Sequence, residues 1–300
     1  MLKSNHIKEK NSISKIANFS KKFGGNMTIG EAIKKGLLEL ENIEDKSIKV
    51  KILLSHILAV DKNYLVVNED KELNQEQEEM FNNGIEKLKA NIPLQYITGF
   101  QEFYGMKFKV NENVLIPRFD TEILVEEVLK VTKNNMKILD MCTGSGIIAI
   151  TIAKNVNNCF VIGSDISKEA LEIAKKNNVL KNTKVVFIES DLFENIKEKD
   201  FDIIVSNPPY INEEEMKDLD EEVKKEPKLA LYGGIKGLDY YEKISKSAKD
   251  YLKSGGYIFF EIGYKQKEDV SNILKQNDFT NIKCIKDYNG NDRVIIGEKL

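Results

Sequence analysis

The chain has 300 residues, 41% hydrophobic and 31% charged, with a formal net charge of −3. That balance describes a soluble globular protein with enough chain for one large domain or two modest ones. It excludes a bilayer-spanning helix, because no run approaches the roughly 18 apolar residues required, and it disfavours a broad nucleic-acid footprint, which needs a basic face.

The first residues carry lysines but no apolar segment, so they do not form a secretory signal; a disordered leader is expected over 1–26. With three scattered cysteines (Cys142, Cys159, Cys284), two histidines and no CxxC, no metal site is expected. Reduced thiols fit a cytoplasmic protein. From Thr28 the pattern turns helical. Thr28 with Glu31 three residues later is a capping box, and Ile29, Ile33, Leu37 and Leu40 recur at helical spacing. "SIKVKILLSHILAV" and "NQEQEEMFNNGIEKLKAN" read as further helices. This defines a small helical domain over 27–92, in which His56 is expected to be a packed or half-exposed side chain rather than a ligand.

Over 93–122 the chain is expected to form a β-hairpin linker. Met106, Phe108 and Val110 alternate, a polar turn occupies 111–113, and Val114 to Ile116 would return. Phe100, Phe103 and Tyr104 are expected to pack between the domains. Asp120 or Thr121 would cap the helix that follows.

Beyond residue 123 apolar runs alternate with helix-like stretches: "KILDM", "CFVIGSD", "KVVFIES", "FDIIVSN" and "GYIFFEIGY". Unbroken apolar strands joined by helices predict an α/β fold with a mostly parallel sheet covered on both faces. The end differs, because Asn289-Gly290 predicts a hairpin and hence an antiparallel last strand.

Ligands of such sheets collect at the carboxyl ends of the strands. The first strand ends in Asp140, followed by "MCTGSGIIAI". Gly144 and Gly146 would let the backbone approach a ligand, but Ile148 and Ala149 stand where a dinucleotide motif has its third glycine. Asp165 ends the second strand, placed for a ribose diol, and Asp191 with Leu192 ends the third, suited to an adenine. Three acids without a phosphate partner fit a cationic adenosyl ligand, S-adenosyl-L-methionine. The fourth strand delivers Asn207, Pro208, Pro209 and Tyr210 to the same edge. The Asn207 side-chain oxygen and the Pro208 carbonyl can accept both hydrogens of a planar NH₂ group, and Tyr210 can pack on it.

On these residues the chain resembles the HemK/PrmC family of glutamine N5-methyltransferases. Asn-Pro-Pro-Tyr is shared with methyltransferases of exocyclic amines. "PLQYITGFQEFYGMKFKVNENVLIPRFDTEILVE" and "EPKLALYGGIKGLDYYEKI" carry the closer likeness, which spans about Met27 to Leu300. The resemblance implies a Rossmann-like class I methyltransferase domain over 123–300 and a helical substrate-recognition domain. It implies methylation of the glutamine in the Gly-Gly-Gln motif of class I peptide-chain release factors. It further implies donor contacts at Cys142, Thr143, Gly144, Ser145, Gly146, Asp165, Asp191, Leu192 and Asn207. Asn207 through Tyr210 would hold the glutamine. Met141-Cys142 replaces the commoner Leu-Gly, Phe119 a proline and Lys236 a frequent aspartate. Arg118 and Glu122 could form an ion pair or position substrate. A monomer is expected, with no stable nucleic-acid binding. The alternatives are methylation of exocyclic amines in DNA or rRNA, and a scaffold that binds without turnover.

Overall fold

The computed structural model describes residues 26–300; the leader expected over 1–26 lies outside them but for its last residue. The chain divides into two compact units, one ending at Thr98 and the other running Gly99–Leu300.

The first unit holds α1 (Ile29–Glu39), α2 (Lys46–Leu58), α3 (Lys62–Val67), α4 (Gln75–Lys89) and α5 (Leu94–Thr98). The capping box is present: the Thr28 hydroxyl accepts from the Glu31 N–H at 3.2 Å, and the Glu31 carboxylate accepts from the Thr28 N–H at 2.9 Å. Asn74 and Gln77 repeat the device before α4. The buried face of α1 is Ile29, Ala32 and Gly36, continued by Leu40 just past its end, turned slightly from the expected stripe. The cause is close packing at Gly36, where a Cβ would lie 2.8 Å from Val50. These residues join Leu53, Leu54, Phe81, Ile85 and Leu88 in one apolar core.

In the second unit β1 (Phe100–Phe103) and β2 (Met106–Lys109) form an antiparallel hairpin. Its register corrects the expected one: Phe103 pairs with Met106, and 111–118 carries no strand. Tyr104 and Gly105 both adopt positive φ, +51° and +67°, the tight geometry that suits two-residue hairpins. Phe103 packs edge-on against Phe108 in this unit's own core, with Leu124, Val125 and Val128. Those last residues belong to α6 (Thr121–Val131), whose start is not capped by the Asp120 side chain. Asp120 pairs with Arg293 at 3.0 Å instead, and the Thr121 hydroxyl faces Asn207.

The main sheet contains β3 (Lys137–Met141), β4 (Phe160–Asp165), β5 (Val186–Glu189), β6 (Phe201–Ser206), β7 (Leu252–Glu261), β8 (Phe279–Lys286) and β9 (Asp292–Lys299). Their spatial order is β5-β4-β3-β6-β7-β9-β8. β3 to β7 run parallel, and β9 is antiparallel to both β7 and β8, as the Asn289-Gly290 turn predicts. Helices α7 (Ile147–Asn155), α8 (Lys168–Lys181), α10 (Asp239–Ala248) and α11 (Lys267–Gln276) flank the sheet, with a short α9 at Lys228–Leu231. Two cores result. Leu139, Ile162, Ile204 and Phe260 belong to one, and their neighbours Ile138, Val161, Ile203 and Phe259 to the other. Burial on both faces is why these strands read as continuous apolar runs. The chain enters at the centre with β3, works outward to β5, then returns to β6 on the other side. That reversal opens a crevice beyond the strand ends of β3 and β6.

Candidate active site

The turn after β3 is built by backbone hydrogen bonds. The Thr143 N–H donates to the Ser164 carbonyl and the Gly146 N–H to the Thr143 carbonyl, each at 2.9 Å. Cys142, Gly144 and Gly146 all have positive φ, +60°, +55° and +82°. Three left-handed residues within five fold the chain back so that Gly144 reaches Asp165. There the Gly144 N–H donates to Oδ2 at 2.8 Å, and the Ser167 N–H donates to Oδ1 at 2.9 Å. A carboxylate has about four lone-pair sites, so Asp165, which lines the crevice, can accept a further hydrogen bond. Burial raises the Asp165 pKa while these backbone donors pull it down.

Asp140 lies behind the turn rather than on its surface. It is fully buried, and its Oδ2 accepts from the Thr143 hydroxyl at 2.5 Å and the Ala149 N–H at 3.0 Å. Burial pushes its carboxyl up to about 7. Thr143, Ser145 and Gly146 also sit inside the turn. Buried Asn177 ties it to the hairpin, donating to the Ser145 and Lys109 carbonyls and accepting from the Lys109 N–H.

After β6 the Ser206 hydroxyl donates to the Met141 carbonyl at 2.7 Å, locking the ends of β6 and β3 together. The Asn207 amide nitrogen donates to the Thr121 hydroxyl oxygen at 3.3 Å, which leaves its carbonyl oxygen free. No described residue donates to the Pro208 carbonyl. The loop is then clamped from below. Ile211 bonds to Leu231 and Gly233 to Ile211, both at 2.9 Å, and Gln266 donates to the Tyr210 carbonyl at 3.0 Å. A Cβ at Gly237, whose φ is +73°, would lie 2.3 Å from that carbonyl, so only glycine fits there.

The crevice brings Cys142, Gly144, Asp165, Asp191, Leu192, Asn207 and Pro209 onto one wall system. Asp140, Thr143, Ser145, Gly146, Pro208 and Tyr210 are not on its surface; they support it or flank it. Sequence reasoning missed Leu115, Leu229, Ala230 and Tyr240, which are among the other residues of the lining. Tyr240 lines the same crevice as Cys142, Asp165 and Asp191. Glu226 joins two missed segments: its Oε2 accepts from the Ile116 N–H at 2.9 Å and its Oε1 from Arg118 at 2.5 Å. Arg118 and Glu122 therefore do not pair; Glu122 accepts from the Tyr104 N–H at 2.8 Å. Among the described residues lining the crevice there is no Lys, Arg or His, while Asp165 and Asp191 supply negative charge. That donor set fits a sulfonium-bearing nucleoside and offers nothing to a pyrophosphate.

A profile described as "Methyltransferase small domain" matches residues 118–234, and one described as "PrmC N-terminal domain" matches 31–99. The release factor glutamine methyltransferase of Fusobacterium nucleatum is 44% identical, over 87% of this chain and 76% of its own. The protein of the same name from Clostridium botulinum is 44% identical, over 88% of this chain and 96% of its own. Among solved structures, a methyltransferase from Pyrococcus furiosus matches 75% of this chain and 98% of its own, with a TM-score of 0.50 at 20% identity. That last likeness is one of fold.

Proposed function

The chain belongs to the release factor glutamine methyltransferase family, and from that premise we propose its reaction: methylation of the N5 amide nitrogen of the glutamine in the Gly-Gly-Gln motif of class I peptide-chain release factors, with S-adenosyl-L-methionine as donor. The observation that carries this reading is the orientation of Asn207. Its NH₂ is spent on Thr121, which leaves its oxygen as an acceptor on a residue that lines the crevice; the Pro208 carbonyl, on the next residue, would be the second acceptor.

An amide nitrogen is a weak nucleophile because its lone pair is delocalised. Two acceptors on its hydrogens raise its electron density and hold it in one plane. Fixed alignment of reacting groups is worth effective concentrations on the order of 10⁵–10⁸ M. Tyr210 would pack on the flat amide, and Pro209 would shape the wall beneath it. On the donor side Asp165 would accept from the ribose hydroxyls, with Asp191 and Leu192 at the adenine. The backbone of Cys142 and Gly144 would meet the donor, held from behind by Asp140, Thr143, Ser145 and Gly146. When bound, the sulfonium supplies an electrophilic methyl.

The helical unit, 27–92 as read from the sequence, would recognise the release factor, with 93–122 as linker and 123–300 performing the transfer. We assign the protein a monomeric, cytoplasmic role without stable nucleic-acid binding; among the described residues no helix is long and apolar enough to cross a membrane.

The deciding experiment incubates the protein with methyl-labelled donor, release factors, DNA and rRNA, and maps label by mass spectrometry. Label on the Gly-Gly-Gln glutamine, lost in Asn207→Ala while the donor still binds, is the expected result. Label on nucleic acid alone would move the assignment to exocyclic amines.

A further inference from the structure

Behind the acceptor loop lies a carboxyl group to which the reaction above gives no role. Glu261 ends β7 and is 1% exposed. Its Oε1 is 3.5 Å from the Tyr210 hydroxyl, a long contact. Its Oε2 is buried and makes no hydrogen bond of normal geometry among the described residues. Thr121 is the side-chain hydrogen-bonding group that most pulls the Glu261 pKa down, and its hydroxyl accepts from the Asn207 amide at 3.3 Å. Arg293 is close by, but its guanidinium is engaged by Asp287 at 3.1 Å and Asp120 at 3.0 Å. An apolar side chain would pack here without the desolvation cost of an acid. A buried polar atom left unsatisfied calls for a functional account.

We propose that Glu261 is a positioning residue for methyl transfer, acting through Thr121 to set which end of the Asn207 amide faces the crevice and through its contact with Tyr210 to hold that ring. The inference rests on the glutamine methyltransferase reading given above. Its logic is hydrogen-bond direction. An ionised carboxylate only accepts, so the Thr121 and Tyr210 hydroxyls both turn their protons toward it. Thr121 then offers Asn207 lone pairs alone, Asn207 answers with its NH₂, and its oxygen is left for the substrate. A protonated Glu261 carries a donor of its own. It can occupy the Thr121 lone pair and free the Thr121 proton for the Asn207 oxygen. The amide then presents NH₂ to the substrate NH₂, donor against donor.

The groups facing Glu261 come from every element around it. They are Asp120 and Thr121 at the start of α6, Tyr210 in the acceptor loop, Arg293 on β9, and Tyr241 on α10. The Tyr241 hydroxyl donates to the Glu261 carbonyl at 2.9 Å. Burial keeps both tyrosines neutral. Burial pushes the Glu261 carboxyl up to about 7, with Thr121, Arg293 and Tyr210 pulling it down and Asp120 opposing them. The productive, ionised form therefore prevails above about pH 7 and declines below it.

The test compares wild type, Glu261→Gln, Thr121→Val and Thr121→Ser with release factor and donor. It reads kcat, KM, the pH profile of kcat, and calorimetric affinity for S-adenosylhomocysteine. Glu261→Gln and Thr121→Val should each lower kcat about tenfold, the equivalent of one ordering hydrogen bond, with affinity for S-adenosylhomocysteine unchanged. The glutamine variant should also lose the step in kcat near pH 7, and Thr121→Ser should restore turnover. Wild-type kcat and pH step in Glu261→Gln would overturn the proposal. If that variant does not fold, Thr121→Val decides: turnover equal to Thr121→Ser overturns it. An inactive wild type removes the assigned reaction and this inference together, whereas an active wild type with indifferent variants removes the inference alone.

Discussion

Replacing Glu226 by alanine should cost both stability and donor binding, for a reason visible in two bonds. The carboxyl is buried at 6% exposure and accepts from the Ile116 N–H and from Arg118. Removing it leaves the Ile116 N–H, on a residue 3% exposed, with nothing to donate to. An orphaned buried donor costs about 1–3 kcal/mol. The Arg118 side chain is 38% exposed, so water screens its ion pair and the loss there is about 1 kcal/mol or less. The total is roughly 1–4 kcal/mol, and at about 2–4 °C per kcal/mol for a unit of this size the melting temperature should fall by roughly 2–16 °C. The same bonds hold 113–118 against 226–231, two segments that line the crevice, so S-adenosylhomocysteine should bind more weakly as well. Glu226→Gln keeps an acceptor for Ile116 and should lose less than half as much. Calorimetric melting and titration read both effects. Unchanged melting and affinity in Glu226→Ala would refute the idea that this side chain staples the wall.

Asp165→Asn should weaken S-adenosylhomocysteine binding about tenfold, since a charge-assisted acceptor is lost at the ribose position; equal affinity by calorimetry would remove Asp165 from the donor site. Burial holds the Asp140 carboxyl up to about 7 in the folded protein, against about 3.9 in an unfolded chain. The folded state thus binds that proton more tightly, and the stability it contributes is full below about pH 4 and lost as pH rises toward about 7. Asp140→Asn should reduce the decline in stability across that window by about 1.4 kcal/mol per pH unit, read by melting at several pH values, and an unaltered slope would contradict the assignment. At Cys142, where φ is +60°, glycine should be more stable than alanine by about 1 kcal/mol, the reverse of the ordinary order; a less stable Cys142→Gly would show that the turn is not strained there.

Strand ends and their acids were legible because they depend on short-range pattern. An apolar run closing on an aspartate, followed by small residues and a helix, specifies a parallel strand and its turn within about ten residues. The antiparallel finish was equally local, since Asp287 accepts from both the Asn289 and Asn291 N–H groups within the one turn. The hairpin register was not, because Tyr104 had to be recognised as left-handed and its ring is not a residue type that signals it. Long-range contacts were invisible for a different reason. Ile116 and Glu226 are 110 positions apart, and Thr121 and Asn207 are 86 apart. Neither pair leaves a periodic trace. Asp120 looked like a helix cap because caps and ion-pair partners are the same residue types; only the return of β9 reveals which it is.

The reversed strand itself has a consequence for the site. In the parallel strands β3, β4 and β6 the carboxyl end points to the crevice, so each contributes its last residues there. β9 runs the other way, and it is therefore its first residues that reach the same edge. Arg293 arrives beside Ile262, where the Ile262 N–H donates to the Arg293 carbonyl at 2.9 Å, and its guanidinium meets Asp120 and Asp287. A parallel last strand would put its start at the opposite edge and leave Asp120 and Glu261 without that cation. The antiparallel ending thus supplies the positive charge that makes an ionised Glu261 tolerable behind Asn207. Burial outweighs that nearby charge, so the Glu261 carboxyl is still pushed up to about 7.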